Sequence, residues 1–118
     1  MTRITVGGTP STYLAPTSKH ETMDWMQKIG NDETTIVDVR TPGEFMGGHV
    51  EGSVNIPLNE LPGRLDEVKA MEGTVVLCCA SGNRSGQATQ WLRAQGLDDV
   101  HNGGGWMQVN GLLAQTAD

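Results

Sequence analysis

The sequence predicts an α/β domain with a mainly parallel central sheet flanked by helices. Two runs, Thr34-Thr35-Ile36-Val37-Asp38-Val39 and Thr74-Val75-Val76-Leu77-Cys78, are β-branched or apolar almost throughout. Continuous rather than alternating apolar runs mark strands covered on both faces. Strands of this kind alternate along the chain with stretches of helical spacing, the order that builds a parallel sheet. The second run also ends in cysteine and a turn of small residues before a helix, and in parallel sheets the carboxyl ends of strands are where ligands bind. With 118 residues and no internal repeat, the chain reads as one domain over residues 1–118.

Taken in order, residues 1–11 mix Gly, Pro, Ser and Thr and are expected to be loosely ordered. Tyr13-Leu14-Ala15 reads as a short strand. Ser18 and Glu21 have the spacing of a capping box, opening a helix that Gly30 stops. Met23, Met26 and Ile29 recur every three residues and are expected to form its inward stripe. The Thr34–Val39 strand follows. Arg40 to Gly52 is charged and glycine-rich, a loop with one turn of helix at Pro42–Met46. Ser53–Ile56 is a short strand ended by Pro57. Leu61, Leu65 and Val68 lie at helical spacing within a predicted helix over Asn59–Met71. Beyond the Thr74–Cys78 strand, Ser81–Asn83 form a turn. Arg84–Gln95 form a helix with Ala88, Trp91 and Leu92 inward and Gly96 as its stop. Asp99-Val100-His101 is the last short strand, followed by a glycine turn, Gly103-Gly104-Gly105, and a final helix near Trp106–Val109.

Composition narrows the function. Eight basic against fourteen acidic residues give a net charge of −6, which argues against nucleic acid, since phosphate backbones are held by clustered Lys and Arg. No segment approaches the roughly 20 apolar residues needed to cross a bilayer, and Met1–Gly7 lacks the apolar run of a secretory signal. The cysteines, Cys78 and Cys79, are neighbours, and adjacent residues bridge only under strain. A reducing, cytoplasmic setting is therefore expected.

Cys79 carries the chemistry this sequence offers. It sits where a buried strand meets the turn Ala80-Ser81-Gly82-Asn83 and the helix opening at Arg84. Successive N–H groups in such a turn form an anion cradle at a helix N-terminus. That potential, with Arg84 nearby, can pull a thiol from about 8.5 to between about 3.5 and 7.5, giving a nucleophilic thiolate at neutral pH. Alternation along the strand sends Cys78 to the opposite face, where packing is its expected role. Asp38, Arg40, Glu44 and His49 offer candidate acids and bases. Their expected role is a buried polar network in which Arg40 pairs with Asp38 or Glu44. The spacing of His and Cys gives no metal-site pattern.

Cys79-Ala80-Ser81-Gly82-Asn83-Arg84-Ser85 resembles the active-site loop of the rhodanese family, in which four residues separate Cys from Arg. A second block, Asp38-Val39-Arg40-Thr41-Pro42-Gly43-Glu44-Phe45 with Gly48-His49-Val50-Glu51-Gly52-Ser53-Val54-Asn55-Ile56-Pro57, is similar to that family's upstream pattern. Trp91–Gly96 and Gly103–Trp106 resemble its later segments, so the likeness spans about residues 12–110. The resemblance implies a sulfurtransferase without a cofactor. Cys79 would take sulfur as a persulfide from a small anionic donor such as thiosulfate, and a thiol, cyanide or a protein partner would accept it. The loop from Ala80 through Ser81, Gly82 and Asn83 to Arg84 would bind the donor and the persulfide. Many relatives carry a basic residue directly after the Cys, where this chain has Ala80. That departure points towards a less charged or protein-bound donor. Two rivals share features of the pattern. A phosphatase or arsenate reductase of the related design places five residues between Cys and Arg, widening the cradle for a tetrahedral oxyanion. A sulfur-relay module would differ from an enzyme only in its acceptor.

Overall fold

A computed structural model of the chain describes residues 25, 26, 29 and 33–116. The expected Tyr13–Ala15 strand, the Ser18/Glu21 capping box, Met23, Gly30 and residues 1–11 lie outside the described residues. Four strands, β1 (Thr34–Asp38), β2 (Val54–Asn55), β3 (Thr74–Cys79) and β4 (Val100–Gly105), pair in parallel in the order β2-β1-β3-β4. The helices are α1 (Pro42–Met46), α2 (Leu65–Lys69), α3 (Asn83–Ala94) and α4 (Trp106–Thr116). The predicted α/β class with a parallel, helix-flanked sheet is the architecture observed. Among the described residues, no helix is long and apolar enough to cross a membrane.

Both faces of the sheet are covered, which is why its central strands lack alternation. One core gathers Val37, Val39, Val75, Leu77, Cys79 and Val100 against Ala88 and Leu92 of α3, with Ile56, Leu61 and Val68. The opposite core holds Ile36, Val76 and Cys78 with Trp25, Ile29, Val50 and Val109. Chain direction places the site. From β1 the connection leads outward to β2; from β3 it leads the other way, to β4. The crevice between the carboxyl ends of β1 and β3 is thus the switch point at which open α/β sheets bind ligands.

Four expectations are corrected. Met26 is exposed, and Trp25, 3% exposed, joins Ile29 in the core. At 3.6 residues per turn a three-residue stride drifts about 60° per step, whereas a four-residue pair stays on one face. Residues 59–71 do not form one helix. Two 3-10 turns, Leu58–Glu60 and Pro62–Arg64, precede the short α2, because Pro62 has no N–H to continue the ladder. Leu61 and Val68 are nonetheless both buried. Trp91 of α3 is half-buried and packs against the core as expected, but the inward face also takes the polar Ser85 and Thr89 beside Ala88 and Leu92. Finally, the triple glycine is strand rather than turn, and α4 runs on to Thr116. Gly103 is the extra residue of a β-bulge, since Leu77 pairs with Asn102 and Cys78 with Gly104. A Cβ on Gly103 would come within 2.7 Å of Val76 Cγ1, so β4 approaches β3 too closely for any other residue.

Leu92 is fully buried between α3 and the sheet. Leu92→Ala is expected to lower stability by about 2–5 kcal/mol, the usual cost of a large-to-small change in a packed core. Urea denaturation followed by circular dichroism measures it; a loss under about 1 kcal/mol would mean the α3 interface is loosely packed.

Candidate active site

Cys79 is the last residue of β3 and α3 begins four residues later, so the intervening Ala80-Ser81-Gly82 must reverse the chain at once. Gly82 does so in a left-handed conformation, φ 99°, which side chains with a Cβ rarely adopt. Gly82 is also the N-cap of α3 and brings no side chain to the helix's unpaired N–H groups. Cysteine sulfur takes that place. The Gly82 N–H donates to Cys79 Sγ at 3.0 Å and the Ser85 N–H at 3.4 Å, with Ser85 Oγ also 3.4 Å away.

These donors set the acidity of the thiol. Burial alone pushes the Cys79 thiol up; the residue is 1% exposed. The Ser85 hydroxyl and N–H, with the Ser81 and Gly82 N–H groups, outweigh burial and leave Cys79 below the ordinary thiol value. Hydrogen bonds to the anion favour it, as does the positive end of a 12-residue helix. Cys78 has the reverse environment. Its side chain lies in the opposite core, where burial first and the Asp38 carboxylate next push it up to about 12.

The other residues singled out in the sequence fall into two groups. Arg84, at the rim of the loop, donates from Nη1 and Nη2 to the Glu44 carboxylate at 2.8 and 3.1 Å. That fork ties the Cys79 loop to α1. Held by Arg84 first and by the Thr41 N–H next, Glu44 is lowered to about 2. Thr41 and Glu44 form the capping box that starts α1. Asp38 and Arg40 form a second, buried pair. Arg40 Nε and Nη2 donate to Asp38 at 2.9 and 2.7 Å, and Nη2 also donates to the Gly48 carbonyl. The guanidinium lies 4.9 Å from the Trp106 ring centroid, a cation–π distance. Asn55 Nδ2 donates to the carbonyls of Asp38 and Arg40, fixing the loop after β1. His49 stacks on Phe45 and donates from Nδ1 to its carbonyl at 2.7 Å. Of the two partners the sequence offered Arg40, Asp38 is the one taken; Glu44 goes to Arg84, and because Glu44 and His49 are exposed the expected buried network of four is reduced to Asp38 and Arg40. Ala80, Ser81 and Asn83 are exposed around the loop.

Two residues around the sulfur were not among the sequence candidates. Ser85 contacts Sγ directly, and Asn102 of β4 contacts Ser85. Ser85 was visible within the loop motif. Asn102 had no local signal, because sheet pairing brings it across 17 positions.

Fold and site together define an α/β domain with a cysteine loop at the carboxyl edge of a parallel sheet, the sulfur seated in a cradle of backbone N–H groups. Residues 22–111 match the Rhodanese-like domain, and the chain belongs to the rhodanese-like family. It is 39% identical over 87 residues to YqhL of Bacillus subtilis, covering 73% of this chain and 68% of that one. It is 40% identical over 74 residues to the thiosulfate sulfurtransferase PspE of Escherichia coli, covering 62% and 71%. Among solved structures, an E. coli rhodanese with anions superposes with a TM-score of 0.59 at 37% identity, over 64% of this chain and 89% of that one. The chain spans less than half the length of some other relatives, 45% in one and 41% in another.

Alkylation rate follows the thiolate fraction, rising with pH and levelling above the pKa. A lowered Cys79 therefore reaches half its maximal rate at a lower pH than an ordinary thiol does, while Cys78 stays unmodified in the folded protein. Iodoacetamide kinetics from pH 5 to 9, with tandem mass spectrometry to separate the two neighbours, check both points. A Cys79 midpoint at or above that of a free cysteine peptide would contradict the cradle.

Proposed function

We propose that the protein is a sulfurtransferase that carries sulfur as a Cys79 persulfide. The observation that carries this reading is the convergence of N–H donors on a single sulfur at the sheet's carboxyl edge. With thiosulfate, the Cys79 thiolate attacks the outer sulfur and a new S–S bond forms. The bond to the sulfonate group breaks, and its electron pair leaves with sulfite. Cyanide or a thiol then attacks the terminal persulfide sulfur, and the Cys79 thiolate departs. Both halves start and end on an anionic sulfur, which is what the N–H groups of Gly82 and Ser85 are placed to stabilise. With the thiolate already formed, no general base is required, consistent with Asp38 being spent on Arg40. The PspE name supports the chemistry through similarity. Four residues between Cys79 and Arg84 favour a cradle for sulfur over the wider one of phosphatases.

The Glu44–Arg84 fork favours donors of low charge, including a protein-bound persulfide, and so keeps the relay reading in view. Arg84, the cation of the loop, is already matched by a carboxylate, and Ala80 adds no charge.

Intact-mass spectrometry after incubation with thiosulfate tests the reading. The protein should gain one sulfur atom on Cys79 and lose it to cyanide. A Cys79→Ser protein that still gains sulfur, or a wild-type protein that gains none from either thiosulfate or a low-molecular-weight persulfide, would overturn it. Glu44→Gln should raise kcat/KM for thiosulfate severalfold, on the order of tenfold, by freeing Arg84, while leaving an uncharged persulfide donor nearly unaffected. Equal changes for both donors would assign the fork to loop architecture alone.

A further inference from the structure

The bulge in β4 brings Asn102 to the back of the Cys79 loop, where its carboxamide makes three hydrogen bonds. Oδ1 accepts from the Ser85 hydroxyl at 2.6 Å and from the Gly104 N–H at 3.0 Å. Nδ2 donates to the Gly82 carbonyl at 3.0 Å. The reverse orientation is excluded by chemistry: it would set an NH₂ against the Gly104 N–H and an oxygen against the Gly82 carbonyl. The Gly82 carbonyl also accepts from the Gly86 N–H at 2.9 Å, so both its lone pairs are held. A Cβ on Gly82 would lie 3.1 Å from Gly104 Cα, and one on Gly86 would lie 3.2 Å from Asn102 Nδ2. Gly82 thus lets β4 approach the loop, and Gly86 keeps the space for the carboxamide.

We propose that Asn102 is a positioning residue, holding Gly82 by its carbonyl so that the Gly82 N–H stays aimed at Cys79 Sγ. It touches no reacting atom and acts through Gly82. This deepens the sulfurtransferase reading and rests on it for its biological meaning, but the geometry it concerns is that of the resting thiol. Asn102 also competes for the Ser85 proton. That hydroxyl has one hydrogen and two acceptors in reach, Asn102 Oδ1 at 2.6 Å and Cys79 Sγ at 3.4 Å. Removing Asn102 thus has two opposed effects: it frees the hydroxyl for sulfur and it releases the Gly82 peptide. The tether to Gly82 is the larger of the two, so the thiolate is disfavoured on balance.

The test is the pH–rate profile of Cys79 alkylation by iodoacetamide, with no sulfur donor present. In Asn102→Ala the midpoint should move up by about one pH unit, about a tenfold weakening of thiolate preference. The same upward move should persist in a Ser85→Ala background, where the hydroxyl plays no part. A folded Asn102→Ala protein whose midpoint is unmoved or lowered overturns the proposal. Should Asn102→Ala fail to fold by circular dichroism, Gly86→Ala probes the same contact, since its Cβ must displace Nδ2 while helix propensity favours alanine. The midpoint is expected to rise without a fall in melting temperature; an unmoved midpoint there counts against Asn102. Because alkylation needs no persulfide, a shifted midpoint in a protein that never gains sulfur would sink the sulfurtransferase reading and leave the positioning role standing.

Discussion

A helix that begins without a side-chain cap must find an acceptor for its first N–H groups, and here the acceptor is cysteine sulfur. Most of the local structure follows from that substitution. A Ser or Asp cap would satisfy the N-terminal turn of α3 from within. Gly82 supplies none, so the donors remain available to the end of β3. The sulfur is buried, which by itself favours the neutral thiol, and the converging donors reverse that preference. Burial strengthens each of those hydrogen bonds by lowering the local dielectric. The nearly complete enclosure of Cys79 is thus part of the device and does not argue against it. The cost is access: whatever reacts with this sulfur must enter through the exposed Ala80, Ser81 and Asn83.

A cradle of backbone donors works only if the backbone is held, and the protein holds it from three directions. From the front, Glu44 grips Arg84. From behind, β4 meets the loop through Asn102. From beneath, β3 is anchored between β1 and β4 by parallel pairing. The buried Asp38–Arg40 pair serves the same end at one remove. Taking two charges out of water costs more than their attraction returns unless the remaining hydrogen-bonding groups are met. Here the Arg40 N–H and the Gly48 carbonyl meet them, fixing the loop that presents Glu44.

Strand and helix identity, the parallel sheet and the position of Cys79 were legible in the sequence because each depends on local pattern. Continuous Val and Ile in β1 and β3 require burial on both faces, and that requirement survives into the structure. The break at Pro62 was local, but other misread elements depend on contacts distant in sequence. Gly103-Gly104-Gly105 reads as a turn until Val76 and Val109 are seen to crowd Gly103, Gln108 to crowd Gly104 and the Ala80 carbonyl to crowd Gly105. Ser85 and Thr89 look like solvent-facing positions of α3; they are buried because their hydroxyls find partners, Asn102 Oδ1 and the Ser85 carbonyl. Arg40 had two carboxylates within reach by sequence spacing. The choice of Asp38 follows from Arg84 arriving at Glu44 from 40 positions away, a separation no pattern along the chain encodes.

Cys78 and Cys79 show how little chemical type decides by itself. They are the same residue on the same strand, one position apart, and their thiols are driven in opposite directions. Alternation of a strand puts one among Ile36, Val76 and Val109 and the other beneath the first turn of α3. The Asp38 carboxylate, itself fully committed to Arg40, adds a negative charge that further disfavours ionising Cys78. A sheet therefore separates the two sulfurs, and a bond between neighbours on opposite faces would require the strand to twist out of its pairing. On the sulfurtransferase reading this has a chemical consequence. A persulfide on Cys79 has no second thiol of the chain beside it to resolve it into a disulfide, so the sulfur is retained until an external acceptor enters the loop. Retention of the cargo is then a property of the strand's alternation, fixed before any residue of the loop is considered.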